Sequence, residues 1–222
     1  MAQDARVSEK GAAVDVVLAG ATGLVGRECL RLLVAEASCS RVVVLARRPL
    51  PAESLVAKVE AHVVDFDRLA GHAPLLRCDA VLCALGTTMR AAGTRERFRH
   101  VDFDYPLELA RLALAQGARH FLLVSALGAD ARSRFFYPRV KGELEEAVCR
   151  LGYRSLTIAR PSFLLGERGE FRLGEEFAKR AAFLVPRRFR PVAAAAVAAA
   201  LVRAAVKDQP GVLVMESREI RE

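Results

Sequence analysis

The feature that most constrains this chain is a run of three evenly spaced glycines. Gly20, Gly23 and Gly26 directly follow the apolar segment Val14–Ala19 and open the segment Leu24–Glu36, whose apolar residues recur at helical spacing. A strand that turns this tightly into a helix needs residues without a Cβ, and the free N–H groups at a helix N-terminus attract anions. The pattern therefore predicts a strand–turn–helix unit that holds a pyrophosphate.

This turn is typical of dinucleotide-binding proteins when it lies between the first strand and the first helix. The alternative is a glycine turn that serves only the close packing of strand and helix. On the first interpretation the turn and the start of the helix contact the ligand. The residues that we expect there are Gly20, Thr22, Gly23, Leu24, Val25 and Gly26.

Short apolar segments alternate with longer helical segments along the rest of the chain. The predicted strands are Val14–Ala19, Arg41–Ala46, Val59–Val64, Ala80–Leu85, His120–Ser125, Ser155–Arg160 and Val212–Glu216. The predicted helices are Leu24–Glu36, Val101–Gln116, Pro138–Leu151 and Val192–Val206. Several strands are apolar on both faces, as in parallel sheets that helices cover on both sides. The pattern predicts an α/β fold with a Rossmann-type, doubly wound parallel sheet.

The chain of 222 residues is long enough for one large domain, and its 53% apolar content excludes a disordered protein. We expect a flexible N-terminal tail over residues 1–12 and a single domain over residues 13–222. A short C-terminal lobe at about residues 161–189 is expected to contact the substrate. The longest uncharged apolar run, Val192–Val202, is much shorter than the roughly 20 residues that a bilayer requires, so no membrane span is expected.

The cysteines and the net charge limit the possible partners. Five cysteines without a CxxC pair argue against disulfides and structural zinc, and the scattered histidines argue against any other metal. We therefore expect a reducing, cytoplasmic setting. The formal net charge of +8 is compatible with nucleic-acid binding, but the arginines are scattered and are not interleaved with aromatic residues. A small-molecule substrate is the expected partner, and the oligomeric state stays open.

Two arginines favour a particular dinucleotide. Folds that bind NAD carry an acidic residue at the end of the second strand, where it holds the ribose 2′-hydroxyl. This chain has Arg47 and Arg48 at that place. Guanidinium groups form paired hydrogen bonds with phosphate, so the pair predicts NADP(H), although it could also be a solvated surface pair.

Two further segments are expected to contact the cofactor. Asp65 and Phe66 follow the third strand, where the carboxylate could accept a hydrogen bond from the adenine amino group. Asp65 is also a good cap for a short helix, and that alternative stays open. The fourth strand ends in Leu85, Gly86, Thr87 and Thr88, which would lie beside the glycine turn.

A candidate catalytic group follows the fifth strand. Ser125 ends that strand, and Tyr137 and Lys141 lie four residues apart, on one face of the next helix. A free phenol titrates near 10, and a neighbouring ammonium together with a positive nicotinamide would lower that pKa. Ser125 could polarise a substrate carbonyl. Because Pro138 disfavours a helical backbone at the residue before it, Tyr137 is expected at the N-cap.

Taken together, these segments resemble the short-chain dehydrogenases/reductases, and within them the atypical, Tat-interactive-protein-like NADPH-binding branch. The segments that carry the resemblance are 20–26, 45–48, 64–66, 83–88, 101–105, 125–130, 137–143 and 160–166. The resemblance implies a Rossmann-type domain with bound NADP(H), with Pro161 beside the cofactor. It also implies that Ser125 orients the substrate, Tyr137 is the acid–base and Lys141 holds the nicotinamide ribose.

One residue departs from the pattern of the wider family. Many active members have an asparagine that supports a proton relay where this chain has Asp102, although the branch itself uses an aspartate there. The leading hypothesis is an NADPH-dependent oxidoreductase that acts on a small carbonyl or alcohol. The alternative is a non-catalytic regulator that binds NADP(H) and acts through a protein partner.

Overall fold

A parallel sheet of seven strands lies at the centre of the computed structural model, which describes residues 13–165 and 190–220. Its strands are β1 (Val14–Ala19), β2 (Cys39–Ala46), β3 (Val59–Val63), β4 (Ala80–Cys83), β5 (His120–Val124), β6 (Ser155–Arg160) and β9 (Gly211–Glu216). Their order across the sheet is β3-β2-β1-β4-β5-β6-β9. Two short strands, β7 (Leu164–Leu165) and β8 (Val192–Ala193), form a separate parallel pair. The predicted Rossmann-type fold is confirmed.

Helices cover both faces of this sheet. They are α1 (Leu24–Ala35), α2 (Met89–Ala92), α3 (Arg95–Arg99), α4 (Tyr105–Ala115), α5 (Phe136–Cys149), α6 (Ala194–Lys207) and α7 (Ser217–Ile220). Shorter 3₁₀ segments lie at Ala52–Ser54 and Phe66–Leu76, and a π-helical turn spans His100–Asp104. In β1, Val16 and Leu18 pack in the core with α1 and α6, whereas Val17 and Ala19 pack with α4 and α5. The continuous apolar strands thus reflect burial on both faces.

The strand order creates a crevice at the carboxyl ends of β1 and β4. These two strands are neighbours, but the connections that follow them lead to opposite sides of the sheet. Ligands of doubly wound folds bind at this point. Gly20 follows β1 there, and the amide of Ala84 donates to the Ala19 carbonyl at 2.8 Å, which fixes the end of β4 beside the turn.

Two predicted helices begin later than expected. The segment predicted as Val101–Gln116 opens with the π-helical turn, and α4 begins at Tyr105. Pro106 lacks an amide hydrogen and cannot donate to the carbonyl four residues earlier. The helix predicted from Val192 begins at Ala194, because Val192 and Ala193 pair with β7 and the Val192 amide donates to the Phe163 carbonyl at 2.9 Å.

The expectation that Tyr137 lies at an N-cap is wrong. The N-cap of α5 is Phe135, so Tyr137 and Pro138 are both inside the first turn. Amide groups in the first turn of a helix have no partner within it, so a proline there loses no hydrogen bond. Tyr137 and Lys141 therefore belong to one continuous helix face.

Some of the predicted regions lie outside the described residues, namely the N-terminal tail of residues 1–12 and most of the expected C-terminal lobe, residues 166–189. Over residues 13–165 and 190–220, no helix is both long and apolar enough to cross a membrane. In the same two ranges, no cluster of three or more His, Cys, Asp or Glu residues could hold a metal ion.

The buried His120 makes the stability of the fold depend on pH. It begins β5, is 2% exposed, and its Nε2 lies 2.9 Å from the Thr157 hydroxyl. Burial lowers the pKa of His120 to about 4, against 6.5 for an ordinary histidine. A lowered histidine pKa means that the unfolded chain takes up a proton first, so stability present above pH 6.5 is lost as the pH falls towards 4.

We predict that His120 contributes about 3 kcal/mol of unfolding free energy that is present at pH 7 and lost near pH 4. This contribution can be measured by urea unfolding of the wild type and of His120→Gln at several pH values between 7 and 4. Glutamine can still bond to Thr157 but does not titrate, so the pH slope of the variant should be smaller. Equal slopes would contradict the assignment.

Candidate active site

The three glycines of the turn are there for different reasons. Gly20 has a φ of 90°, and a Cβ on it would lie 2.4 Å from the Ala84 carbonyl oxygen. A Cβ on Gly26 would lie 2.0 Å from the Gly20 carbonyl oxygen. Both glycines are therefore required by the fold. A Cβ on Gly23 would meet only the Gly20 oxygen, at 3.3 Å, so packing does not demand a glycine there. A glycine at this position leaves room for the close approach of a ligand.

A cavity of about 240 Å³ opens over this turn. The predicted cofactor residues that line it are Gly20, Thr22, Gly23, Arg47, Arg48, Phe66, Leu85 and Gly86. The structure thus brings together residues that follow β1, β2, β3 and β4. They lie at the carboxyl ends of these strands, as predicted from the sequence. Its glycine floor fits the pyrophosphate of a bound dinucleotide.

Sequence reasoning missed several cavity residues. They are Ala21, Leu45, Ala46, Ala84, Val101 and Tyr105. The sequence contained a signal for four of these residues, because each lies within two residues of the end of β1, β2 or β4. They are Ala21, Leu45, Ala46 and Ala84. Val101 and Tyr105 belong to the π-helical turn and its junction with α4, which no periodicity indicates.

Other predicted residues do not line the cavity. Leu24, Val25 and Gly26 open α1, and Val25 and Gly26 are buried against the sheet. The Asp65 carboxylate accepts from the Asp67 amide at 3.0 Å, so the structure supports the capping alternative for this residue. Thr88 caps α2 in the same way, by accepting from the Ala91 amide at 3.1 Å.

The loop after β6 supports the loop after β5. The Pro161 carbonyl accepts a hydrogen bond from the Leu127 amide at 2.8 Å. This contact holds the segment that follows Ser125. Pro161 therefore has a structural partner near the site, although it is not among the cavity residues.

Arg47 and Arg48 extend into solvent at the end of β2. Both are exposed, and within residues 13–165 and 190–220 neither makes a hydrogen bond or an ion pair. Their guanidinium groups are thus available to an anionic ligand group in the cavity that they line.

A buried ion pair lies next to Gly86 of the cavity, although neither of its residues is among those that line the cavity. Lys141 Nζ lies 2.6 Å from Asp102 Oδ1, and both side chains are almost fully buried. Asp102 Oδ2 accepts from the Thr87 amide at 2.8 Å. Burial alone would lower the pKa of Lys141, but Asp102 beside it raises that pKa above its ordinary value. Lys141 is therefore a fixed cation, and a Cβ on Gly86 would lie 3.9 Å from its Nζ.

Tyr137 lies one helical turn before Lys141. It is 40% exposed, and its ring packs 5.5 Å from the ring of Phe98. Burial of the hydroxyl raises the pKa of Tyr137, and the opposing effect of Lys141 does not reverse this. The expected lowering of this pKa is thus not found, because burial outweighs the charge of Lys141 and Asp102 adds to the rise.

Ser125 belongs to a separate buried network. Its hydroxyl donates to Glu145 Oε1, and both residues are 5% exposed. Arg160 Nε lies 3.1 Å from both oxygens of Glu145, and Arg160 also pairs with Glu216 at 3.0 Å. No hydrogen bond joins Ser125 to Tyr137 in the part of the chain that the structure describes.

Comparison with protein families identifies the fold and the cavity. A family model described as NAD(P)H-binding matches residues 20–208, which include the glycine turn and the segments on either side of the cavity. The chain belongs to this NAD(P)H-binding family. It is an oxidoreductase-like family, and the match supports a nicotinamide cofactor for this chain.

Curated relatives confirm the resemblance found from the sequence. The chain is 41% identical over 167 residues to protein HTATIP2 of Rattus norvegicus, covering 74% of this chain and 69% of that protein. It is 36% identical over 170 residues to the mitochondrial protein fmp52 of Emericella nidulans, covering 74% of this chain and 73% of that protein.

Solved structures show the same fold at low sequence identity. MoeE5 in complex with UDP-glucose and NAD matches with a TM-score of 0.70 and 16% identity, covering 90% of this chain and 74% of that one. The UDP-glucose 4-epimerase of Thermus thermophilus in complex with NAD matches with a TM-score of 0.68 and 18% identity, covering 93% of this chain and 80% of that one.

The prediction of a cytoplasmic protein is wrong as stated. Fungal relatives, including those of Emericella nidulans and Candida glabrata, are named mitochondrial proteins, which conflicts with a purely cytoplasmic assignment. The prediction relied on five cysteines without a disulfide pattern. Free thiols indicate a reducing environment, but they do not distinguish one compartment inside the cell from another.

The glycine turn gives a direct test of the cavity. We predict that Gly23→Val abolishes binding of NADPH and NADH in titration calorimetry while the circular dichroism spectrum stays that of a folded protein. The added side chain meets little of the protein but projects where the pyrophosphate would lie.

The matched control is Gly26→Ala, which should lose stability or fail to fold because its Cβ overlaps the Gly20 backbone. Cofactor binding by Gly23→Val at wild-type affinity would mean that the dinucleotide lies elsewhere.

Proposed function

We propose that this protein is an NADPH-dependent oxidoreductase of the atypical short-chain dehydrogenase/reductase type, acting on a small carbonyl or alcohol. The observation that carries the proposal is the position of Tyr137 and Lys141 on one face of α5. Lys141 is held there by Asp102 at 2.6 Å, next to Gly86 of the cofactor cavity. On this proposal Tyr137 is the proton donor and Lys141 the fixed cation beside the dinucleotide, although neither residue is among those that line the cavity.

The arginine pair supports NADP(H) as the cofactor. An acidic residue at the end of β2 would repel a 2′-phosphate, and this chain has Arg47 and Arg48 there. Both guanidinium groups line the cavity. Because charge-assisted hydrogen bonds are about twice as strong as neutral ones, the pair should favour the phosphorylated ribose.

Residues of this chain would donate the proton, hold the nicotinamide ribose and orient the substrate. When bound, the nicotinamide supplies or accepts the hydride. Tyr137, which is 40% exposed as a residue, would donate the proton to the substrate. Lys141 would hold the nicotinamide ribose through its ammonium group, and Asp102 keeps that group charged and in place. Ser125 would orient the substrate once its hydroxyl hydrogen rotates away from Glu145.

The protonation state of Tyr137 favours reduction of a carbonyl. Burial holds the pKa of Tyr137 above its ordinary value, so the phenol carries its proton at neutral pH. A protonated phenol is the form that donates to a carbonyl oxygen while hydride reaches the carbon. Tyr137 is therefore the proposed proton donor when NADPH reduces a carbonyl.

We predict that NADPH binds more tightly than NADH, by on the order of 1–3 kcal/mol, and that Arg47→Ala combined with Arg48→Ala removes this preference. Titration calorimetry with each cofactor measures it. The matched control is Arg150→Ala, which removes the positive charge of an exposed arginine at the C-cap of α5, outside the cavity. Equal affinities for the two cofactors in the wild type would rule out the 2′-phosphate assignment.

We predict that Tyr137→Phe retains NADPH binding but lowers turnover by roughly 10²–10⁴-fold, because it removes only the proton donor. Lys141→Ala should impair binding and turnover together. The assay is NADPH oxidation with a panel of aldehydes, ketones and quinones.

The panel also separates this proposal from a non-catalytic regulator. Binding of NADPH without turnover of any substrate in the panel would favour the regulator. Turnover that is unchanged in Tyr137→Phe would show that another group donates the proton.

A further inference from the structure

A charged cluster lies beside the cofactor cavity and takes no part in the proposed chemistry. At its centre is His100, in the π-helical turn. Its Nε2 lies 2.6 Å from Asp67 Oδ1 and its Nδ1 lies 3.0 Å from Asp104 Oδ2. The Tyr105 hydroxyl donates to the same oxygen of Asp67 at 3.0 Å.

The cluster joins two separate segments at the arginine end of the cavity. Asp67 belongs to the 3₁₀ segment that follows β3, whereas His100 and Tyr105 follow β4 and α3. The Tyr105 ring lies 5.5 Å from the ring of Phe66 and 4.5 Å from that of His100. Phe66 and Tyr105 both line the cavity, together with the arginine pair. The two rings thus form an aromatic wall.

His100 lies between two carboxylates near this wall. Without a positive charge between them, Asp67 and Asp104 would repel each other. The hydrogen bonds that His100 donates to Asp104 and Asp67 raise its pKa, so the bridging cation persists to higher pH than in an ordinary histidine. Burial and the bond to Asp67 raise the pKa of Tyr105 to about 12, so its hydroxyl remains a donor at neutral pH.

We propose that His100 is a positioning residue for the cofactor: by bridging Asp67 and Asp104, it fixes Tyr105 as the wall against which the adenosine end packs. The proposal rests on the proposed function only in taking NADPH as the ligand. His100 does not line the cavity and acts through Tyr105.

The proposal has a definite pH dependence. The groups that face His100 are Asp67 from the 3₁₀ segment, with Asp104 and Tyr105 from its own stretch of chain, while Arg47 and Asp65 act electrostatically on Tyr105. As the pH rises through the raised pKa of His100, the bridge loses its cation and NADPH affinity should fall. The 2′-phosphate titrates in every variant alike, so the comparison between variants isolates His100.

The first test compares wild type with His100→Gln by titration calorimetry, using NADPH, adenosine 2′,5′-bisphosphate and reduced nicotinamide mononucleotide as probes. We expect His100→Gln to lower the affinity for NADPH and for adenosine 2′,5′-bisphosphate by about 2–10-fold at pH 6. The affinity for reduced nicotinamide mononucleotide should stay unchanged. The loss should shrink as the pH rises to 9. The matched control is His72→Gln, a partly buried histidine of the same 3₁₀ segment, which should bind like wild type.

The second test changes the wall itself. Tyr105→Ala should lower the affinity for adenosine 2′,5′-bisphosphate more than His100→Gln does. Tyr105→Phe keeps the ring and should retain most of the wild-type affinity. Equal binding of the adenosine probe by wild type and His100→Gln would overturn the proposal, as would a parallel loss for the nicotinamide probe. If wild type binds NADH but not NADPH, the cofactor assignment fails, and the same comparison with NADH and 5′-AMP still decides the role of His100.

Discussion

The close contact between the glycine turn and the end of β4 is the constraint on which the site depends. Gly20 approaches Ala84 and Gly26 approaches Gly20 more closely than any Cβ permits. The contact places the N-terminus of α1 at the crevice between β1 and β4, where free amide groups can bind a pyrophosphate. Each part of the cavity, from the arginines to Gly86, is positioned relative to this turn.

A buried ion pair holds the opposite end of the site. Removal of one partner from such a pair typically costs about 3–5 kcal/mol, because the other charge is left without compensation. Asp102 thus ties the amide of Thr87 and the ammonium of Lys141 into one unit across β4 and α5. This explains how a lysine that is almost fully buried can stay charged next to Tyr137.

Most of the fold could be predicted from the sequence, because strands that are apolar on both faces and glycines at a strand end are compatible with few folds besides a helix-covered parallel sheet. Contacts between distant segments could not be predicted. The pairing of Asp102 with Lys141 depends on how α5 packs against the π-helical turn, and the pairing of Ser125 with Glu145 depends on how α5 lies relative to the end of β5. Asp65 had two plausible partners, and only the structure shows which one its carboxylate reaches.

The network around Arg160 gives the end of the chain an influence on the site. Arg160 is shared between Glu145, which accepts the Ser125 hydroxyl, and Glu216, the last residue of β9. Through Arg160 and Glu145, β9 is thus connected to the hydroxyl of a serine ninety-one positions earlier in the chain. The complete network around Ser125 therefore exists only when β9 has joined β6 in the sheet.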